Sequence, residues 1–223
     1  SSIGMGYCDF LSIDPAGRRT GGEQKYRPQR QRTPDVAERT LSALLFWCFG
    51  CLPGNISTVM LRRDVWQSVG GFLTGFQQAP DYDMWVRVGE RWPIGFIREP
   101  LIELRDHPLQ LGRVGQKQMT TIEEELPVVR RLEEMLRGRV PEPILRRSWM
   151  THRGRQHMHW IARAILRRDW SVAARGWRAM SAYYGTPWQQ VAVWLATVNG
   201  RVWSWNNAAL FDDWSPTLEH TVR

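Results

Sequence analysis

The sequence predicts an α/β domain followed by an α-helical tail, and three observations carry that prediction. Strand-like and helix-like segments alternate as far as His107, the pattern of sheet and helix layers packed on each other. Beyond His107 the strand signals stop and helical periodicity takes over. The charge follows the same division: of 30 basic and 22 acidic residues, 13 and 12 fall up to His107, and 17 and 10 after it. The division is drawn at residues 1–110 for the α/β part and 111–223 for the basic, Trp-rich tail.

Tyr7-Cys8-Asp9-Phe10-Leu11-Ser12-Ile13 mixes β-formers in alternation, and Asp14-Pro15-Ala16-Gly17 supplies turn chemistry, so a strand ending in a hairpin is expected. Residues 18–34 have no periodicity and read as a long loop, a feature that in compact domains is usually functional. From Asp35 the pattern turns helical through Ala37, Leu41, Leu44 and Leu45, with Thr33 or Asp35 as cap, until Gly50 and Pro53-Gly54 stop it. A β-rich run over 57–61 precedes a short helix over 62–72 closed by Gly70-Gly71. A helix from Asp81 to about Arg91 follows, then two short strands around Pro100. In the tail, helices are expected over 120–138, 152–182 and 187–205, with Pro141 and Pro143 as breakers. Glu123-Glu124-Glu125 at the start of the first and Arg130, Arg131 and Arg137 towards its end follow the order a helix dipole favours.

With 223 residues and 43% hydrophobic content the chain can bury a sizeable core. Its formal charge of +8 is compatible with nucleic acid, an anionic membrane surface or an acidic substrate. Tryptophans interleave with basic residues over 146–178, but no nucleic-acid-binding signature accompanies them, so nucleic acid is not expected. Three cysteines without framework spacing point to a reducing, cytoplasmic setting. No apolar run is long enough to cross a bilayer and no signal peptide is visible, so any membrane contact would be peripheral, at the inner face. Val191, Trp194, Leu195, Val198, Val202 and Trp205 share one helical face, which either packs on the domain or docks on lipid.

Five motifs in a fixed order carry a family resemblance. They are Thr58-Val59-Met60-Leu61-Arg62-Arg63, Val69-Gly70-Gly71-Phe72, Asp81-Tyr82-Asp83-Met84-Trp85-Val86-Arg87, Glu99-Pro100-Leu101-Ile102 and Arg105-Asp106-His107. Together with the strand and hairpin at Tyr7 to Gly17, residues 1–110 resemble the acceptor-side, C-terminal half of the GT-A core of inverting family-2 glycosyltransferases. The resemblance implies transfer of a sugar from a nucleotide-sugar donor to a saccharide or lipid-linked acceptor, with a divalent metal, in surface-polysaccharide biosynthesis. It also implies that the donor-binding half and its Asp-x-Asp motif belong upstream of Ser1, so the chain is expected to be a fragment.

Residue by residue, the resemblance makes Asp81 the catalytic base. An acceptor hydroxyl attacking an anomeric carbon needs a carboxylate to take its proton. At a helix start the dipole is expected to favour the ionised form of Asp81; an N-capping aspartate is the bland alternative. Asp83, Trp85 and Arg105 would contact substrate, and Gly70 and Gly71 would let the backbone approach the donor sugar while also capping a helix. His107 would complete the metal shell, its imidazole favouring Mn²⁺ over Mg²⁺. Pro80 departs from the pattern, standing where the family usually has glutamate. Cys48-Phe49-Gly50-Cys51 lacks the second pair or preceding strand that zinc or redox chemistry needs. His152, His157 and His159 read as polar surface rather than a metal site. A different class remains open, a non-catalytic binding or membrane-docking module derived from such a core.

Overall fold

A computed structural model describes residues 2–106, 118–149, 153–184, 191, 195 and 207–219. The chain is mixed α/β, with one four-stranded mixed sheet. Strand β1 (Met5–Ile13) is its spine. Alternation puts Met5 and Tyr7 on the core face, where Tyr7 stacks on Phe96 at 4.8 Å. The long last strand β4 (Ile94–Arg105) runs parallel to β1, while β3 (Val59–Leu61) pairs antiparallel on the other side of β1. The two-residue β2 (Val36–Ala37) lies antiparallel along β4, giving the order β2-β4-β1-β3. After β1 the chain turns as expected: Asp14 accepts backbone N–H bonds from Ala16 and Arg18, and Gly17 takes φ 83°.

Helices α1 (Arg27–Arg32), α2 (Arg39–Phe49), α3 (Arg63–Val69) and α4 (Pro80–Gly89) complete the first part. The tail supplies α5 (Thr120–Leu136), α6 (Glu142–Trp149), α7 (Arg155–Leu166), α8 (Trp170–Tyr184) and α9 (Asn207–Glu219). Helix α2 is buried over every residue from Leu41 to Cys48, because α4, α5, α6 and α9 all pack on it. One apolar core therefore runs from the sheet through α2 into the tail, with Ile122, Leu132, Leu145 and Phe211 in it beside Leu44 and Phe46.

Several expectations are corrected. Residues 18–34 are not a loop throughout: a 3₁₀ turn (Gly22–Tyr26) leads into α1, with Gln29 donating to Leu52 O at 3.1 Å and Arg30 pairing with Asp9 at 2.6 Å. Helix α2 starts at Arg39, since Val36 and Ala37 pair with β4; Thr33 and Asp35 do not cap it. The two strands around Pro100 are one, and the ladder absorbs the proline through register shifts on either side of Asp9. Pro143 opens α6 instead of breaking the chain, the position where a missing N–H costs nothing. The helix expected over 152–182 is two, divided at Arg168 with φ 59°, after which Asp169 accepts from Val172 N as an N-cap. Helix α9 was not expected, and most of the apolar stripe from Val191 to Trp205 lies outside the described residues. Among the described residues no helix is long and apolar enough to cross a membrane.

Candidate active site

Helix α3 ends at Gly70 in the left-handed region, φ 81°, and Gly71 follows at φ 72°. A Cβ on Gly71 would stand 3.1 Å from the Trp66 ring, while one on Gly70 would meet nothing within 4 Å. The turn aims Phe72 inward, edge-on to both Trp66 and Trp85. After an irregular stretch, Pro80 takes the first position of α4, where its fixed φ suits the helix, and Ala79 is the N-cap.

The resulting helix buries Tyr82 through Gly89. Tyr82 Oη donates to Phe46 O at 3.0 Å, fixing α4 on α2. Asp83 is 5% exposed and its carboxylate is taken by Arg87 Nε at 2.7 Å. Arg87 spends its other nitrogens on Val69 O and Gly71 O, so one guanidinium ties α4 to the glycine turn. Trp85 is 2% exposed, its indole N–H buried without a partner among the described residues. Arg105 donates to Asp14 O and Pro15 O, both at 2.9 Å, and so holds the hairpin after β1 against the end of β4. His107 lies outside the described residues.

Asp81 differs from these neighbours. It sits one residue inside the helix, so it is not the N-cap, and its Oδ1 accepts from Tyr82 N at 2.8 Å. Among the described residues no cation pairs with it. Desolvation pushes its carboxyl above the ordinary range, more than the backbone bonds at Tyr82 and Asp81 lower it. The helix-dipole expectation is thus corrected: burial is the larger effect. A carboxylate raised in this way is a stronger base than a solvated aspartate.

The tail brings a second group of polar side chains to this neighbourhood. Burial pushes the Cys51 thiol well up, Asp81 raises it further, and Arg153 opposes both. The Arg153 guanidinium lies against Gly50, where a Cβ would come within 1.7 Å of Nη2, and reaches Glu125 Oε1 at 3.6 Å. His157 Nε2 stands 3.2 Å from Glu125 Oε2, with the ring enclosed by Trp149 and Trp160.

No family model, curated protein or solved structure matches the chain. The site stands on its own geometry. That geometry brings Gly71, Asp83 and Arg87 into one cluster along α4, whereas Arg105 holds the turn after β1. His157, expected at the surface, is wholly buried, while His159 is exposed and His152 lies outside the described residues. Cys48 and Cys51 are both free thiols. Among the described residues no three His, Cys, Asp or Glu side chains are grouped to hold a metal ion. Glu125, Arg153 and His157 were not expected to meet. Their only sequence signal is that Arg153 and His157 are four apart, one helical turn.

Proposed function

We propose that the chain belongs to an inverting glycosyltransferase with a GT-A core, and that Asp81 is its general base. The observation that carries this reading is the contrast within one helical turn. Asp83 is neutralised by Arg87, while Asp81 is desolvated, raised and, among the described residues, bonded only by backbone N–H. A structural aspartate at a helix start ordinarily caps the helix or pairs with a cation; Asp81 does neither among the described residues.

In the proposed step an acceptor hydroxyl oxygen forms a bond to the anomeric carbon of a nucleotide-sugar. The bond from that carbon to the nucleotide diphosphate breaks on the opposite face, inverting the centre. The hydroxyl proton passes to the Asp81 carboxylate as the new bond forms. The acceptor is a saccharide or lipid-linked saccharide, met where α4 begins. A divalent cation, Mn²⁺ or Mg²⁺, would relieve charge on the leaving diphosphate. The described residues hold no ligand set that fits one, so no step of this scheme is assigned to it.

Transfer from nucleotide-sugar donors by the full-length gene product tests the reading. Asp81→Asn should lower the rate by about 10² to 10⁴ with the fold retained by circular dichroism. Ordinary turnover by the folded variant would sink it.

A further inference from the structure

Helix α4 begins without any side-chain cap of its own. Ala79 at the N-cap carries no acceptor, and Pro80 after it carries no N–H. Ahead of them the chain runs through Gln77 and Gln78 outside any helix, so three consecutive backbone N–H groups, of Gln77, Gln78 and Ala79, have no partner within their own segment. At the partly buried Gln78 and Ala79 an unpaired N–H would be disfavoured.

One side chain takes all three. Glu124 Oε1 accepts from Gln77 N at 2.9 Å, and Oε2 accepts from Gln78 N at 2.6 Å and Ala79 N at 2.9 Å. Successive N–H groups converging on one anion form a nest, and bonds to an ionised acceptor are the stronger kind. The carboxylate also lies at the positive end of α4. It arrives from a different part of the fold, α5, whose Ile122, Leu126 and Val129 are in the core. Its sequence neighbours are engaged elsewhere: Glu123 with Arg175 at 3.0 Å, and Glu125 with His157 and Arg153. The acidic run that reads as dipole complement in the sequence is three separate fasteners.

Between the nest and Asp81 stands only Pro80, whose ring fixes φ. Pinning Gln77, Gln78 and Ala79 therefore pins the direction in which Asp81 leaves the backbone. We propose that Glu124 is a positioning residue for Asp81, so that the helical tail completes the active site by fastening the segment that carries the base. This rests on the reading of Asp81 as base. It gives α5 a duty in catalysis that a surface-docking tail would not have. A misplacement of a reacting group by about 1 Å is enough to cost on the order of 10²-fold in rate.

The test uses amide hydrogen exchange at Gln77, Gln78 and Ala79, together with a ¹³C-carboxyl titration of Asp81, on the intact protein and on Glu124→Gln, Glu124→Asp and Glu123→Gln. Glu124→Gln keeps the shape but loses the charge and one acceptor. The three amides are expected to exchange about tenfold faster or more. The Asp81 midpoint is expected to fall towards the ordinary aspartate range as water reaches the loosened segment. Glu123→Gln, which loses only the exposed Arg175 pair, should leave both readouts unchanged. Wild-type exchange and an unmoved Asp81 midpoint in folded Glu124→Gln would overturn the proposal. If that variant unfolds, the same two readouts on Glu124→Asp decide in the same sense. Neither readout needs turnover, so an active Asp81→Asn would refute the base and leave the fastening of the segment standing.

Discussion

Asp83 and Arg87 close a salt bridge of 2.7 Å one turn apart within α4, and both side chains are buried. Arg87 carries the link onward to the carbonyls of Val69 and Gly71, so the pair is the rivet between α3 and α4.

Breaking a buried pair from one side leaves the other charge dry and uncompensated. Asp83→Ala is expected to cost about 3–5 kcal/mol in urea unfolding, with Arg87→Ala similar. Loss of transfer in these variants should follow loss of fold, which distinguishes Asp83 from Asp81.

Asp81→Asn should do the reverse and raise the melting temperature near neutral pH. The folded carboxyl titrates above its ordinary 3.8, so between that value and the raised one the native state holds more proton than the unfolded chain. Stability then falls as pH rises through that window, and the penalty is fully present above it. Removing the charge removes the penalty, so the stability profiles of the two proteins should converge below pH 3.8 and separate above it. Transfer by the wild type should climb with pH through the same window and then level off, as deprotonated Asp81 accumulates.

His157 and Glu125 offer a double-mutant cycle. His157→Leu removes a buried partner of Glu125 and should destabilise the fold in chemical denaturation. Glu125→Leu should cost less in the His157→Leu background than in the wild type, since the two side chains meet, although in both it takes a partner from Arg153.

Much of the first part was legible from local chemistry. The strand Met5–Ile13 and its turn announce themselves through alternation and Asp-Pro-Ala-Gly, and α4 through Asp81 and the helical run after it. What escaped was set by partners distant in sequence. Pro100 reads as an interruption because nothing local shows that β1 shifts register opposite it. Residues 152–182 read as one helix because the break at Arg168 is a backbone conformation, not a change of residue type. Asp81 was legible as a candidate, but its raised carboxyl was not, since desolvation depends on everything packed around it. Glu124 was invisible as a cap because its donors are backbone groups 45 to 47 residues earlier, which leave no mark on side-chain pattern.

Helix α9 makes truncation of the tail an unsafe way to examine lipid binding. Leu210, Phe211 and Leu218 are buried, and Phe211 lies 5.7 Å from Phe49 of α2. Phe211→Ala alone should cost about 3–5 kcal/mol in denaturant unfolding. Membrane attachment is better measured on the whole chain with anionic and neutral vesicles. If the basic tail docks on lipid, co-sedimentation should need anionic vesicles and weaken with salt, since screening acts over about 10 Å at 0.1 M. Equal pelleting with both vesicle types would count against it.

The bidentate contact of Arg32 with Asp212, both bonds 2.8 Å, joins residues 180 apart. Together with Phe49 against Phe211 it means that α2, the helix at the centre of the core, receives part of its covering from residues 207–219, far along the chain. During synthesis an apolar flank of α2 must therefore wait, uncovered, until residues 207–219 have emerged from the ribosome. Contacts of such sequence separation are paid for late and slow the search for the native state. Until then the nascent chain is a natural client for a holding chaperone.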